Sequence, residues 1–181
     1  MKPQNRLSTA QSPSITSEIA AMCDVPYREA VGTVQWTSLT THPDISFDIS
    51  TVARFLMNLG VMHWEAIKCI FQYLKGMHDL WLTYGGMERK LVGYADADGS
   101  MAEDRKAVSG YAFIIDGGAM SWSSKKQEIV SLSMTVSECV AAMHATKEAL
   151  WLLCSLISEI LSPATTLTIL FSDNQSAIAL I

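Results

Sequence analysis

The hydrophobic positions of this chain change their period partway along it, from helical spacing to strand-like runs. Residues 1–23 are rich in Ser, Thr, Pro and Gln and show little periodicity, which predicts a flexible tail. Residues 24–77 carry apolar side chains three and four positions apart, which predicts a small helical unit. Residues 78–181 combine short strand-like runs with one long apolar helix, so we predict a second domain there.

Three helices are predicted in the helical unit. The first begins with Asp24 as its cap and Pro26 in its first turn. The second follows residues 41–43 and ends at Gly60, a residue type that often closes a helix. The third runs over Met62–Leu74. His63 lies beside its apolar stripe, which favours a packed or exposed histidine over a metal ligand.

The second domain is predicted to be α+β, with helices packed on a mixed sheet. After a short strand at Leu80–Tyr84, the sheet strands are Leu91–Ala95, Gly110–Ile115, Ala119–Ser123 and Leu167–Phe171. The turn at Asp116–Gly118 predicts an antiparallel meander of the first three. A long helix from Thr135 to Leu161 returns the chain to the fourth strand, which favours parallel pairing. A last helix is predicted at Gln175–Ile181.

Composition narrows the class of protein. The chain has 181 residues, of which 49% are hydrophobic, and a formal charge of −5. These values support a folded core and argue against a strongly basic nucleic-acid-binding domain. No 18-residue apolar stretch predicts a membrane span, and no hydrophobic signal core follows the start, so we expect an intracellular protein, cytoplasmic or nuclear. The widely spaced Cys23, Cys69, Cys139 and Cys154 predict reduced thiols in the core.

Three carboxylates occupy comparable places in this plan. Asp96 closes the first sheet strand, Glu138 lies in the first turn of the long helix, and Asp173 closes the fourth strand. If the first and fourth strands are neighbours, the three side chains can converge at one sheet edge. Grouped carboxylates suit hard cations such as Mg²⁺ or Mn²⁺. Two such ions about 4 Å apart can support phosphodiester hydrolysis.

Each carboxylate also has a simpler explanation. Asp96 and Asp98 flank a strand-to-loop turn, where aspartate is common. Thr135 and Glu138 are spaced as a capping box, and Asp173 is placed to cap the last helix. Spacing alone leaves these alternatives open.

A set of longer phrases carries a family resemblance. In order they are Tyr27–Gly32, Thr41–Ile45, His63–Ala66, Tyr73–Gly76, Gly93–Asp98, Ser109–Tyr111, Ser121–Gln127 and Phe171–Asn174. From Pro26 onward the chain resembles the end of the Pol polyprotein of copia-type (Ty1/copia) retrotransposons. The resemblance implies that residues 24–77 correspond to the C-terminal, connecting end of reverse transcriptase. It implies that residues 78–181 correspond to an RNase H domain, which cleaves the RNA strand of RNA–DNA hybrids with Mg²⁺.

The resemblance implies catalytic and metal-binding roles for Asp96, Glu138 and Asp173. Residues 134–139 depart from the family's Ser-Thr-Glu-Ala-Glu-Tyr phrase by losing its first Glu and its Tyr, while Glu138 is kept. The chain ends at Ile181, where the family continues through a further strand. We therefore expect a truncated copy that lacks the last strand of the fold, has little or no nuclease activity, and self-associates through an exposed sheet edge.

The expected partners are an RNA–DNA hybrid, if the chain is active, and reverse transcriptase or other retroelement proteins, with no membrane. Lys125, Lys126 and Lys147 are candidates for phosphate contacts, and Trp122 for a backbone contact. The favoured interpretation is a solvated turn for Lys125 and Lys126 and a core position for Trp122. A non-catalytic binding or assembly module, and a fragment with no selected role, are the alternatives.

Overall fold

A computed structural model of the chain describes residues 7–85, 90–99, 104–154 and 168–181. The chain divides into two compact units, Met1–Trp81 and Leu82–Ile181. The predicted boundary lies four residues earlier, after residue 77.

The first unit is helical. Its helices are α1 (Thr16–Cys23), α2 (Tyr27–Thr40), α3 (Ser46–Val52) and α4 (Val61–Gly76). Short 3-10 turns cover Thr9–Gln11, Pro43–Ile45 and Ala53–Phe55. Helix α1 lies within the predicted tail, where the composition gave no indication of regular structure. The predicted second helix is divided, because 3-10 turns flank α3 on both sides.

Two predicted helix ends are wrong. Asp24 follows α1 as its C-terminal cap, and Pro26 is the residue that precedes α2. Gly60 does not end the second helix but precedes α4, where its N–H donates to Nδ1 of His63 over 2.9 Å. The cause is local: the His63 ring takes up a backbone N–H that the helix start would leave without an acceptor.

The predicted apolar stripes form the core of the first unit. Its buried members are Tyr27, Val31, Val34, Ile45, Ile49, Val52, Ala66, Ile67 and Ile70. The Tyr27 hydroxyl donates to the backbone oxygen of Val52 over 2.8 Å, which ties α2 to α3. Leu39 and Phe71 follow the same helical spacing but are exposed. His63 is fully buried and stacks on Phe55 at 3.9 Å between ring centroids, which confirms a packed histidine.

The second unit contains a four-stranded mixed sheet in the order β3-β2-β1-β4. The strands are β1 (Val92–Asp98), β2 (Val108–Ile115), β3 (Gly118–Lys126) and β4 (Ile169–Phe171). Strands β1, β2 and β3 form an antiparallel meander, and β4 pairs parallel with β1, as predicted. Helices α5 (Met134–Leu152) and α6 (Gln175–Ile178) complete the described elements. The architecture is α+β, as predicted, and is compatible with an RNase H-like fold.

A tight turn joins β2 to β3. Asp116 and Gly117 both have positive φ, at 51° and 83°, between the paired residues Ile115 and Gly118. Two successive positive φ values define the hairpin turn whose twist matches that of the strands, and Asp-Gly is a preferred pair for it. The Asp-Gly pair therefore predicted this connection correctly, although Gly118 already belongs to β3.

Helix α5 packs on one face of the sheet because small residues line both surfaces. Along β1 the buried positions are Gly93, Ala95 and Ala97, which alternate with exposed ones. The helix presents buried alanines to this face, among them Ala145 and Ala149. Small side chains allow the close approach, and larger residues fill the core beside them: Leu91, Phe113 and Leu152.

Some predictions for the second domain are wrong. No strand lies at Leu80–Tyr84 among the described residues; instead the Tyr84 hydroxyl donates to the backbone oxygen of Ala119 over 2.5 Å. Strand β4 lies at the sheet edge, and its apolar sequence does not make it a buried strand, since Ile169 and Phe171 are about half exposed. Leu167, which begins the predicted fourth strand, and the part of the predicted long helix beyond residue 154 lie outside the described residues.

The cysteines are free thiols, but they are not core residues. Cys23, Cys69 and Cys154 are exposed, and Cys139 is half-buried. Apolar neighbours in the sequence therefore misled the prediction. Among the described residues, no helix is long and apolar enough to cross a membrane.

Candidate carboxylate metal site

The first carboxylate, Asp96, lies inside a strand. It pairs with Gly110 of β2, and β1 continues through Asp98. Its side chain is on the exposed side of the strand, between the buried Ala95 and Ala97. The interpretation of Asp96 as a turn residue is therefore wrong.

The second carboxylate, Glu138, lies near the start of α5 and is 5% exposed. The helix is capped by Ser133, whose Oγ accepts the Val136 N–H over 3.2 Å. Thr135 is already inside the helix. A capping box of Thr135 and Glu138 is therefore also wrong, and the cap does not require a carboxylate at Glu138.

The third carboxylate, Asp173, follows β4 and is exposed. The next residue, Asn174, caps α6, because its Oδ1 accepts the Ala177 N–H over 2.9 Å. Asp173 is thus not the cap that the sequence left as an alternative. Ser133 and Asn174 are the caps and Asp96 lies within a strand, so the structure contradicts all three simpler explanations of the carboxylates.

The fold brings the three carboxylates together. Asp96, Glu138 and Asp173 each offer an oxygen that lies within 4.8 Å of the other two. Parallel pairing of β4 with β1 places the chain after Phe171 beside the segment after Tyr94, which are partners in the ladder. Helix α5 packs on the face of the sheet where Ala95 is buried, and it supplies Glu138. The predicted convergence is therefore present in the structure.

The electrostatics of the cluster centre on Glu138. Burial raises the pKa of the Glu138 carboxyl above its usual value, and the charge of Asp96 adds to this. A hydrogen bond from the backbone N–H of Ala97 opposes the rise, while Asp173 increases the pKa further. Within the described part of the chain, Oε2 of Glu138 has no hydrogen-bond partner.

These features fit a divalent cation. A buried carboxylate oxygen without a donor is costly and calls for an explanation such as an ion. The donor set consists of carboxylate oxygens, the ligands that Mg²⁺ and Mn²⁺ prefer. A bound cation would contact the unpartnered oxygen and offset the repulsion among three negative groups.

Two features of this region were not predicted. A cavity of about 530 Å³ opens beside Asp96 and Asp173, and the rings of Tyr94 and Phe171 line it, stacked at 5.4 Å between centroids. Only the parallel β1–β4 register could have indicated this aromatic pair. A buried amide, that of Gln127, also lies near Glu138; it closes the phrase Ser121–Gln127 that carries part of the family resemblance.

The candidate substrate-contact residues lie on strand β3 and helix α5. Lys125 and Lys126 belong to β3, so their interpretation as a solvated turn is wrong. The Lys126 ammonium lies 2.5 Å from the Asp104 carboxylate, and that of Lys125 lies 3.9 Å from Glu128. Trp122 is half-buried rather than a fully buried core residue, and Lys147 is exposed on α5. Contacts of these residues with phosphate stay a prediction.

Comparison with known proteins identifies the class. The chain is 44% identical over 150 residues to the Retrovirus-related Pol polyprotein from transposon TNT 1-94 of Nicotiana tabacum, which covers 81% of this chain and 11% of that polyprotein. It is 31% identical over 180 residues to the corresponding polyprotein from transposon RE1 of Arabidopsis thaliana, covering 98% of this chain and 12% of the relative.

The chain thus belongs to the family of retrovirus-related Pol polyproteins from copia-type transposons, as the sequence phrases predicted. It corresponds to a fragment, since it spans about a tenth of the length of these polyproteins. It is also 40% identical over 134 residues to the Secreted RxLR effector protein 161 of Plasmopara viticola, covering 72% of this chain and 94% of that protein. No family model and no solved structure matches the chain.

Proposed function

We propose that the second unit is an RNase H-type domain that binds Mg²⁺ or Mn²⁺ at Asp96, Glu138 and Asp173 and cleaves the RNA strand of RNA–DNA hybrids slowly. The observation that carries this proposal is the convergence of three carboxylate oxygens within 4.8 Å, one of them from a buried side chain. Membership in the copia Pol family supports it.

Each carboxylate has a distinct part in the proposed site. Glu138 is held by its burial and by the Ala97 N–H, so it forms the fixed inner wall. Asp96 and Asp173 are exposed, so they border the opening through which a phosphodiester approaches. Without a cation the three negative groups repel a phosphate. A bound divalent cation supplies positive charge that attracts the phosphate and activates water for hydrolysis.

A low rate is proposed because three carboxylates, the cluster found among the described residues, would have to hold two metal ions. Hydrolysis with two metal ions requires both ions to be held in register, and small misplacements cost orders of magnitude in rate. A single buried anchor among two exposed ligands holds two ions less firmly than a closed set of ligands does.

The test is cleavage of a labelled RNA–DNA hybrid with Mg²⁺ or Mn²⁺, comparing the wild-type chain with Asp96→Asn. Asp98→Asn is the matched control, because it removes the same charge from the same strand, two residues away and outside the cluster. Cleavage that Asp96→Asn abolishes and Asp98→Asn retains supports the proposal. The Asp96→Asn preparation also sets the background from contaminating nucleases.

No cleavage above that background, from a chain shown to be folded, overturns the proposed activity. Titration with Mn²⁺ then shows separately whether the carboxylates bind metal at all. Binding of reverse transcriptase that does not depend on divalent ions is the outcome that points to an assembly module instead.

A further inference from the structure

The side-chain amide of Gln127 lies at the centre of a buried polar network. Gln127 is 2% exposed, and its Nε2 donates to the Ser109 hydroxyl over 2.8 Å and to the backbone oxygen of Ser137 over 2.9 Å. Its Oε1 accepts the Ser131 hydroxyl over 3.0 Å, and its backbone N–H donates to Ala107 over 2.8 Å. Both polar atoms of the side-chain amide and the backbone N–H are thus hydrogen-bonded, which fixes the conformation of Gln127.

The partners of Gln127 lie directly beside the carboxylate cluster. Ser137 precedes Glu138, so the accepting carbonyl belongs to the peptide bond that carries Glu138. Ser109 is the ladder partner of Ala97, the residue after Asp96. The Gln127 amide therefore connects Ser109, on the part of β2 that pairs with β1 at the site, with Ser137, the helix residue before Glu138.

A second contact continues this connection. The backbone N–H of Ala97 donates to the Glu138 carboxylate. That bond requires α5 to lie at a fixed height and distance above β1. Of the described hydrogen bonds between the end of β3 and the start of α5, the one from Gln127 to Ser137 acts closest to Glu138 in the chain.

We propose that Gln127 is a positioning residue that holds Glu138 within the carboxylate cluster. The effect of Gln127 on metal affinity rests on the proposed function, whereas the placement of Glu138 by Gln127 can be tested without metal. Substitution of such supporting residues around a metal site commonly lowers metal affinity about 10- to 100-fold.

The decisive variant is Gln127→Leu, which keeps the approximate size of the side chain and removes its hydrogen bonds. Ser109→Ala is a milder second variant, because it removes one of the two partners of Nε2. The matched control is Ser121→Ala. Ser121 lies on β3, the strand that Gln127 follows, and it donates to Glu148 Oε1 on α5 over 2.6 Å. Glu148 follows Glu138 by ten residues, about 15 Å along the helix.

The first measurement is amide hydrogen exchange in the metal-free chain. We expect Gln127→Leu and Ser109→Ala to accelerate exchange at Ala97 about tenfold more than at Gly93 of the same strand, because the acceptor on Glu138 is displaced. Ser121→Ala is expected to change both amides equally. Equal acceleration at Ala97 and Gly93 in the Gln127 and Ser109 variants would indicate general loss of stability and would overturn the proposal.

The second measurement is the affinity for Mn²⁺ of the folded chain. We expect Gln127→Leu to weaken it about 10- to 100-fold and Ser121→Ala to leave it within about twofold. In a Glu138→Gln background, Gln127→Leu should have no further effect, since it acts through Glu138. A further loss in that background contradicts the proposal. If the wild type binds no Mn²⁺, the proposed function fails, and the exchange at Ala97 still decides the role of Gln127.

Discussion

Replacing Glu138 by glutamine should stabilise the metal-free chain while removing its response to metal. The substitution deletes one charge from a cluster whose oxygens lie within 4.8 Å of one another. At that separation two unit charges repel by about 0.9 kcal/mol at the dielectric constant of water and by about 3.5 kcal/mol at an effective value near 20. Because Asp96 and Asp173 are exposed, the lower value applies to each pair. Two such pairs give a stabilisation of about 2 kcal/mol.

The pH dependence follows from the raised pKa of Glu138. The folded state binds the Glu138 proton more tightly than the unfolded state does, so protonation of Glu138 stabilises the folded chain. This stabilisation is fully present below the ordinary glutamate pKa, about 4.3. It is lost as the pH rises through the raised pKa of the folded state. The wild type and Glu138→Gln should therefore have similar stability in acid and should differ most at neutral pH.

The assay is urea unfolding followed through amide signals of β1, at neutral and acidic pH, with EDTA or with Mg²⁺. Glu148→Gln is the control, because it removes a charge from the same helix outside the cluster. Mg²⁺ should raise the free energy of unfolding of the wild type and of Glu148→Gln, and leave Glu138→Gln unchanged. If Glu138→Gln were less stable than the wild type in EDTA at neutral pH, the argument that like charges strain this site would be refuted.

Three further outcomes are expected from urea unfolding. Gly93→Ala should destabilise the second unit by about 1–3 kcal/mol, since the new Cβ would lie 2.5 Å from the ring of the buried Phe113. Gly110→Ala is the control, because a Cβ at Gly110 meets nothing closer than 3.8 Å. Burial lowers the pKa of His63, so the first unit should lose stability as the pH falls below about 6.5, the ordinary histidine pKa, and a His63→Gln variant should lack this loss. Ser133→Ala should cost about 1 kcal/mol through loss of the α5 cap, and Ser133→Asp should restore it.

The sequence predicted the larger elements because their signals are periodic and local. The stripe through Tyr27, Val31 and Val34 defines the buried face of α2, and the Asp116-Gly117 pair defines the β2–β3 turn. Helix ends were less predictable, since several residues near each end can act as a cap. Ser133 rather than Thr135 caps α5, and only the backbone geometry distinguishes the two.

The candidate site was predictable only in part for a related reason. An aspartate at a strand end and one before a helix are common in any fold, so Asp96 and Asp173 carried little information by spacing. Their proximity depends on the parallel pairing of β1 with β4, a contact between segments far apart in the chain. The phrase-by-phrase resemblance supplied what local patterns could not. Gln127 was missed because its buried side chain bonds to three partners that no period places together.

The relatives of this chain show why its function has to be tested at the site itself. The matched stretch makes up 11% of the TNT 1-94 polyprotein, whereas a matched stretch of 134 residues covers 94% of the effector protein at 40% identity. Similar sequence thus occurs in proteins whose names describe different roles, and a fold is able to persist while its chemistry changes. What distinguishes a nuclease from a binding module here is the carboxylate cluster. If the cluster does not bind metal, Glu138→Gln should stabilise the chain equally with and without Mg²⁺. If the cluster is a metal site, Glu138→Gln should stabilise the chain only in the absence of Mg²⁺.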